Sequence, residues 1–225
     1  MKGASAQEFE GPGQDCPLCG RLVAFRNANR EQFPSWHNAP VPSFGPLDAP
    51  ILVVGLAPGL KGANRTGRPF TGDHAGILLY RTLLRFGLAR GEYAADPDDG
   101  LRLTRCRVTN AVRCVPPANQ PIPAETASCN RFLVAELAAM PRLRAVLALG
   151  VLAHTAVLRA FGLRPGRLKF QHGAVHELPK GLLLADSYHV SRYNTNTGLL
   201  TEEMFDATVR GLLDRVGESV RPAGG

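Results

Sequence analysis

Five cysteines are spread along the 225-residue chain: Cys16, Cys19, Cys106, Cys114 and Cys129. Cys16 and Cys19 form a C-x2-C pair, and fourteen residues separate Cys114 from Cys129. In a reducing compartment such thiols read as metal ligands rather than disulfides. Four thiolates hold either a zinc ion or a [4Fe–4S] cluster, and spacing does not choose between them. Cys106 opens an apolar run without a paired spacing and reads as a core thiol. A second set of chemistry-bearing residues stands in "GLAPGLKGANRTGRPFTGD", Gly55 to Asp73, where Asn64, Phe70 and Asp73 lie among five glycines. Asn110, in "VTN", and His189, in "HVS", each follow an apolar run.

The elements that position these residues are legible in outline. "ILVVG", 51–55, is short, continuous and β-branched, as a strand buried on both faces requires. "HAGILLYRTLLRFGL" has helical spacing, with Asp73 placed to cap it and Gly87 to end it. "CRVTNAV" is a second strand, followed by a Pro-rich loop and a helix over roughly 123–139. "AVLALG" is a third strand with the helix "VLAHTAVLRAF" behind it, and "LLLADSYH" a fourth. "TEEMFDATVRGLLDRV" is a last helix, capped by Thr201 with Glu202 and Glu203 in its first turn. Alternating strands and helices predict a three-layer α/β/α sandwich with a central four-stranded parallel sheet, whose polar loops gather at the carboxyl ends of the strands. One domain is expected over 1–225, with flexible ends at 1–15 and 219–225.

The glycine loop is not a nucleotide cradle. The G-x-x-x-x-G-K-[ST] pattern would need a glycine where Leu60 stands, and G-x-G-x-x-G also fails at Gly55. What the glycines allow is close approach of backbone to a flat ligand. The formal charge of +7, from 22 Arg and 4 Lys, suits either a solvated basic surface or a phosphate-binding face. No apolar run reaches membrane-spanning length, and the first thirty residues lack a signal-peptide core. The expectation is a cytoplasmic protein, monomeric and away from membranes.

"GLAPG", "NRTGRPFTGD", "TNAVRC" and "HVSRYNTNTG", with the four-cysteine set, resemble the uracil-DNA glycosylase superfamily, and within it family 5, the type B enzymes of bacteria and archaea. The resemblance runs from about Cys16 to the last helix. It implies a four-stranded parallel sheet between helices and a [4Fe–4S] cluster on Cys16, Cys19, Cys114 and Cys129, in preference to zinc. It implies DNA containing deaminated bases as the partner. The damaged base would be flipped from the stack into a pocket. Gly55, Ala57, Gly59, Asn64 and Phe70 would form that pocket, with Phe70 stacking on the base. Asn110 would read the pyrimidine edge, because an amide both donates and accepts. His189 would stabilise the base oxygen that gains charge as the glycosidic bond breaks. Lys61, Ser191, Arg192 and Tyr193 would contact DNA, with Arg192 and Tyr193 as the wedge that fills the vacated space; Ser43 is a weaker phosphate contact.

The chain also departs from the superfamily pattern. "GLAPG" holds no side chain able to orient water, so Asp73 is expected to position the water or stabilise the sugar cation. Its plain alternative is a helix cap. Gly59 stands where some relatives place a Tyr against the thymine methyl, which predicts a roomier pocket for uracil, 5-substituted uracils or hypoxanthine. Lys61 reads as a phosphate contact rather than a Schiff-base amine, so the expected reaction is monofunctional and leaves an abasic site. The alternative from another class is a non-catalytic, metal-stapled module that senses damaged or single-stranded DNA.

Overall fold

The computed structural model describes residues 9–217, so the expected flexibility of 1–8 and 219–225 lies outside the described residues. Residues 9–15 are placed by contacts: Arg30 pairs with Asp15 at 2.7 Å, and the Arg107 guanidinium lies over the Phe9 ring.

Helix α1 (Gly20–Gln32) follows the C-x2-C pair. Strand β1 (Ile51–Gly55) runs into the glycine loop, which carries the short helix α2 (Ala63–Thr66) before α3 (His74–Arg85). A two-stranded antiparallel pair, β2 (Ala89–Arg90) and β3 (Arg102–Leu103), precedes β4 (Cys106–Asn110). Then come α4 (Pro123–Ala138), β5 (Ala145–Leu149), α5 (Val151–Ala160), β6 (Val175–Glu177) and β7 (Leu183–Ser187). Helices α6 (Arg192–Asn196) and α7 (Glu202–Val216) close the chain.

The main sheet has the order β4-β1-β5-β7-β6. The first four strands are the parallel sheet expected, and β6 adds an antiparallel edge through the pairing of Val175 with Ala185. Three residues are too few to show a strand period in sequence, which is why β6 reads as loop there. Alternation along β1 divides the core. Ile51 and Val53 pack with α3 and α7, whereas Leu52 and Val54 pack with α4 and α5. Both faces are covered, so the strand is apolar throughout.

This connectivity locates the site. The chain leaves β1 towards the α3 face and leaves β4 towards the α4 face, so the loops after these adjacent strands part. A crevice opens over their carboxyl ends, where Gly55 and Asn110 pair.

Candidate active site

The crevice is a cavity of about 640 Å³ lined by the glycine loop, the end of β4 and the segment after β7. Ala57, Gly59, Phe70, Asn110 and His189, expected to contact a base, line it, as does Asp73, expected to serve the water or the sugar cation.

Phe70 is held by unusual means. Its φ is +53°, in the left-handed region, where a non-glycine residue costs about 1–3 kcal/mol. Its neighbours fix it there. Tyr80 donates its hydroxyl to the Pro69 carbonyl at 2.5 Å, and Tyr93 donates to the Phe70 carbonyl at 3.0 Å. Two residues earlier, the Arg68 guanidinium makes a forked contact with Asp99 at 2.8 and 2.7 Å, and holds that carboxyl down at about 2. The Phe70 ring lies 6.2 Å from the His189 ring, centre to centre.

Asn110 is 4% exposed and its Oδ1 has no hydrogen-bond partner among the described residues. A buried acceptor left unpaired costs about 1–3 kcal/mol, which native proteins rarely tolerate without a use for it. Gly55 explains how the group fits. A Cβ on Gly55 would stand less than 3.0 Å from both the Phe70 ring and Asn110 Oδ1. Gly55 therefore does not line the cavity as expected; it lies behind it and makes room for the two residues that do.

Asp73 has two roles at once. Its Oδ1 accepts from the Ala75 backbone N–H at 3.1 Å, capping α3, while its Oδ2 faces Gly59 and Gly62 in the cavity wall. Burial raises its proton affinity, and the backbone N–H groups of Gly76 and Ala75 partly offset this. His189 experiences burial alone, which lowers its pKa to about 4 and leaves a neutral imidazole at pH 7.

Other expectations are corrected. Asn64 is 1% exposed, its Nδ2 donates to Asn38 Oδ1 at 2.9 Å, and it does not line the cavity; its amide braces the loop from behind. Ser43 is unavailable to phosphate, because its hydroxyl meets Thr109 Oγ1 at 2.9 Å and takes Arg113 Nη1 at 2.7 Å. The segment after His189 is not a plain loop: Ser191 caps α6 by accepting from the Asn194 N–H. Ser191, Arg192 and Lys61 line the cavity, whereas Tyr193 stands outside it, 72% exposed. His74 reaches across to α6, with Nε2 2.9 Å from Thr195 Oγ1. Sequence reasoning missed Asn119, which lines the cavity with φ +56°. The Pro-rich loop around it was the only signal.

Four of the five cysteines lie around one place. Cys16, Cys19, Cys114 and Cys129 face one small cavity between α1, α4 and the loop after β4. Ala57 packs on this cluster and also lines the base cavity, so the two share a wall. The donors suit a metal group. Arg113 donates its backbone N–H to Cys129 Sγ at 3.3 Å. The buried Arg26 reaches the Cys16 carbonyl and, at 4.0 Å, Cys114 Sγ, while its Nε has no partner among the described residues. Burial, with the neighbouring Cys129 and Cys16, pushes the Cys114 thiol up to about 12 despite Arg26, leaving that buried cation beside neutral sulfur. A bound metal group holding thiolates resolves that conflict. Among the described residues the four thiols do not form a group of three or more within 4.8 Å. On one tetrahedral zinc, at ~2.3 Å per bond, sulfurs would sit only about 3.8 Å apart.

The chain belongs to the uracil DNA glycosylase superfamily, whose family pattern matches residues 42–213. That stretch includes β1, the glycine loop, Asn110 and His189. Within the superfamily the chain is similar to type-5 uracil-DNA glycosylases. It is 49% identical over 196 residues to that of Thermus thermophilus, covering 84% of this chain and 89% of the relative. It is 43% identical over 204 residues to that of Mycobacterium tuberculosis, covering 87% and 76%. A type-4 uracil-DNA glycosylase from Pyrobaculum aerophilum matches at 29% over 144 residues, covering 64% and 65%. Among the described residues no helix is long and apolar enough to cross a membrane.

Proposed function

We propose that this chain is a DNA-repair glycosylase that flips uracil from DNA and hydrolyses its N-glycosidic bond, leaving an abasic site. The observation that carries this reading is the unpartnered Oδ1 of Asn110, buried in a cavity between an aromatic ring and a neutral histidine. A uracil ring N–H fits that acceptor. Phe70 supplies the stacking face, worth about 1–3 kcal/mol.

As the bond between the sugar and the base breaks, its electron pair moves onto the base and positive charge develops on the sugar. Neutral His189 donates a hydrogen bond to the base oxygen that gains the charge. A neutral donor suffices, because stabilisation by an oriented dipole is strong in a water-poor site. Asp73 Oδ2 serves the opposite charge: it stabilises the cation and orients the attacking water. Lys61, Ser191 and Arg192 meet the phosphates around the flipped nucleotide, and Tyr193 with Arg192 fills the gap in the duplex. Without a side chain at Gly59 the pocket accepts 5-substituted uracils and hypoxanthine as well.

Cys16, Cys19, Cys114 and Cys129 are read as the ligands of a [4Fe–4S] cluster rather than zinc, as the family resemblance implies. The cluster supplies a structural tie between α1 and α4 behind the Ala57 wall. The protein is read as acting as a monomer.

The test uses duplex oligonucleotides carrying one uracil, or one hypoxanthine, followed by hot alkali. Strand breaks that require alkali are the expected result. Tight binding without any abasic site would overturn the reading in favour of a non-catalytic damage-binding module. An absorbance band near 400 nm, roughly where iron–sulfur proteins absorb, and iron in the purified protein would support the cluster; stoichiometric zinc would replace it.

A further inference from the structure

We propose that the segment 163–173, between α5 and β6, is a second phosphate-binding surface that holds the DNA strand running off the β7–β6 edge of the base cavity. This rests on the glycosylase reading and adds a surface to it.

Its position follows from the topology. α5 starts at the carboxyl ends of the strands and descends. The segment then climbs back, because β6 begins at Val175, opposite Ala185 midway along β7. Gly173 donates its N–H to the Asp186 carbonyl at 2.8 Å, and the Tyr188 N–H donates to His172 Nδ1 at 3.1 Å. The His172 ring stacks on Tyr188 at 4.8 Å. The segment thus ends against the residue preceding His189.

Its charge is of one sign. "LRPGRLKFQHG" contains no acidic residue. Arg164, Arg167 and Lys169 are exposed, and among the described residues none has an ion-pair partner. Arg21, by contrast, is paired with Glu125 and Arg85 with Asp206.

What distinguishes this stretch from a solvated loop is its anchor. Between Arg167 and Lys169, the Leu168 carbonyl lies 2.9 Å from His154 Nε2. His154 Nδ1 lies 2.7 Å from Asp186 Oδ1, and His176 Nε2 lies 3.0 Å from Asp186 Oδ2. The Gln171 N–H donates to the same carboxylate at 3.3 Å. Each imidazole takes its own carboxylate oxygen, so the trio is a hydrogen-bonded anchor rather than an open metal site. It holds the loop before DNA arrives, and a preordered surface loses less entropy on binding.

The test compares the full-length protein with the triple variant R164S/R167S/K169S. A control variant, R142S/R144S/K180S, removes the same charge at the amino ends of the strands. Binding to undamaged duplex is measured from 50 to 200 mM salt, and uracil release is measured in single turnover at saturating enzyme. Each lost phosphate contact flattens the plot of log affinity against log salt by about 0.9. The expected result is a slope shallower by about 2–3 in the loop variant and unchanged in the control, with release within about twofold of the parent. Equal slopes for the loop variant and the parent overturn the proposal, as does an equal loss in both variants. Parent protein that releases no uracil overturns the glycosylase reading instead, and the slope comparison still reads the surface.

Discussion

Gly62 and Asp73 share one volume: a Cβ on Gly62 would fall within 3.0 Å of Asp73 Cβ, Cγ and Oδ2. The glycine is therefore what lets the carboxylate stand in the cavity wall. Gly62→Ala is expected to displace Asp73 by a fraction of an ångström or more. Misplacement on that scale lowers rates by about 10²-fold, and overpacking destabilises by about 1–3 kcal/mol. Single-turnover uracil release with a thermal melt checks both.

Asp73 caps α3 through one oxygen and faces the cavity with the other, and the two duties separate by substitution. Asn keeps a good cap but carries no charge. Asp73→Asn is expected to keep the parent melting temperature within a few degrees and to slow release by about 10²–10⁴-fold. Release at the parent rate would leave Asp73 as a helix cap only.

The pH profile separates His189 from Asp73. Burial depresses His189 to about 4, so the neutral donor persists far below the usual histidine range. Asp73 is raised by burial. The acid limb of the release rate is expected to lie above the ordinary carboxylate range, and to vanish in Asp73→Asn. A limb centred near 6.5 that vanishes in His189→Ala would contradict this assignment.

His154 predicts the pH dependence of stability. Burial lowers its proton affinity, but the hydrogen bond and charge of Asp186, with the Leu168 carbonyl, outweigh burial and raise it. Asp186 faces the ring from β7, His176 from β6, and Phe170 from the loop. A group raised in the folded state contributes fully below its unfolded value of about 6.5, and that contribution is lost as pH rises through the folded value. Melting temperature is expected to fall between neutral and mildly alkaline pH, and to fall less in His154→Gln, in a series of thermal melts.

Cys114→Ser tests the shared wall. Loss of one ligand is expected to remove the metal absorbance, to lower the melting temperature, and to weaken uracil release through Ala57. Melting unchanged after loss of the absorbance would separate the cluster from the fold.

The sequence by itself determined what local chemistry dictates. A continuous β-branched run has to be a doubly covered strand, and Ile51–Gly55 is one. Asp73 and Thr201 sit where their side chains satisfy free N–H groups, and both do so, at Ala75 and Met204. The three-residue strand β6 and the single-turn helix α6 carry too little periodicity to be read.

The tertiary structure alone decided which polar residues face the cavity. Asn64 and Asp73 stand nine positions apart in one glycine-rich loop, yet one amide turns inward to Asn38 and one carboxylate lines the wall. Gly55 was read as a contact surface and is instead the space behind Phe70 and Asn110. Cys16 and Cys129 lie more than a hundred positions apart and meet only because α4 returns against α1. The direction in which a loop side chain points is set by the elements packed behind it, and those come from distant parts of the chain.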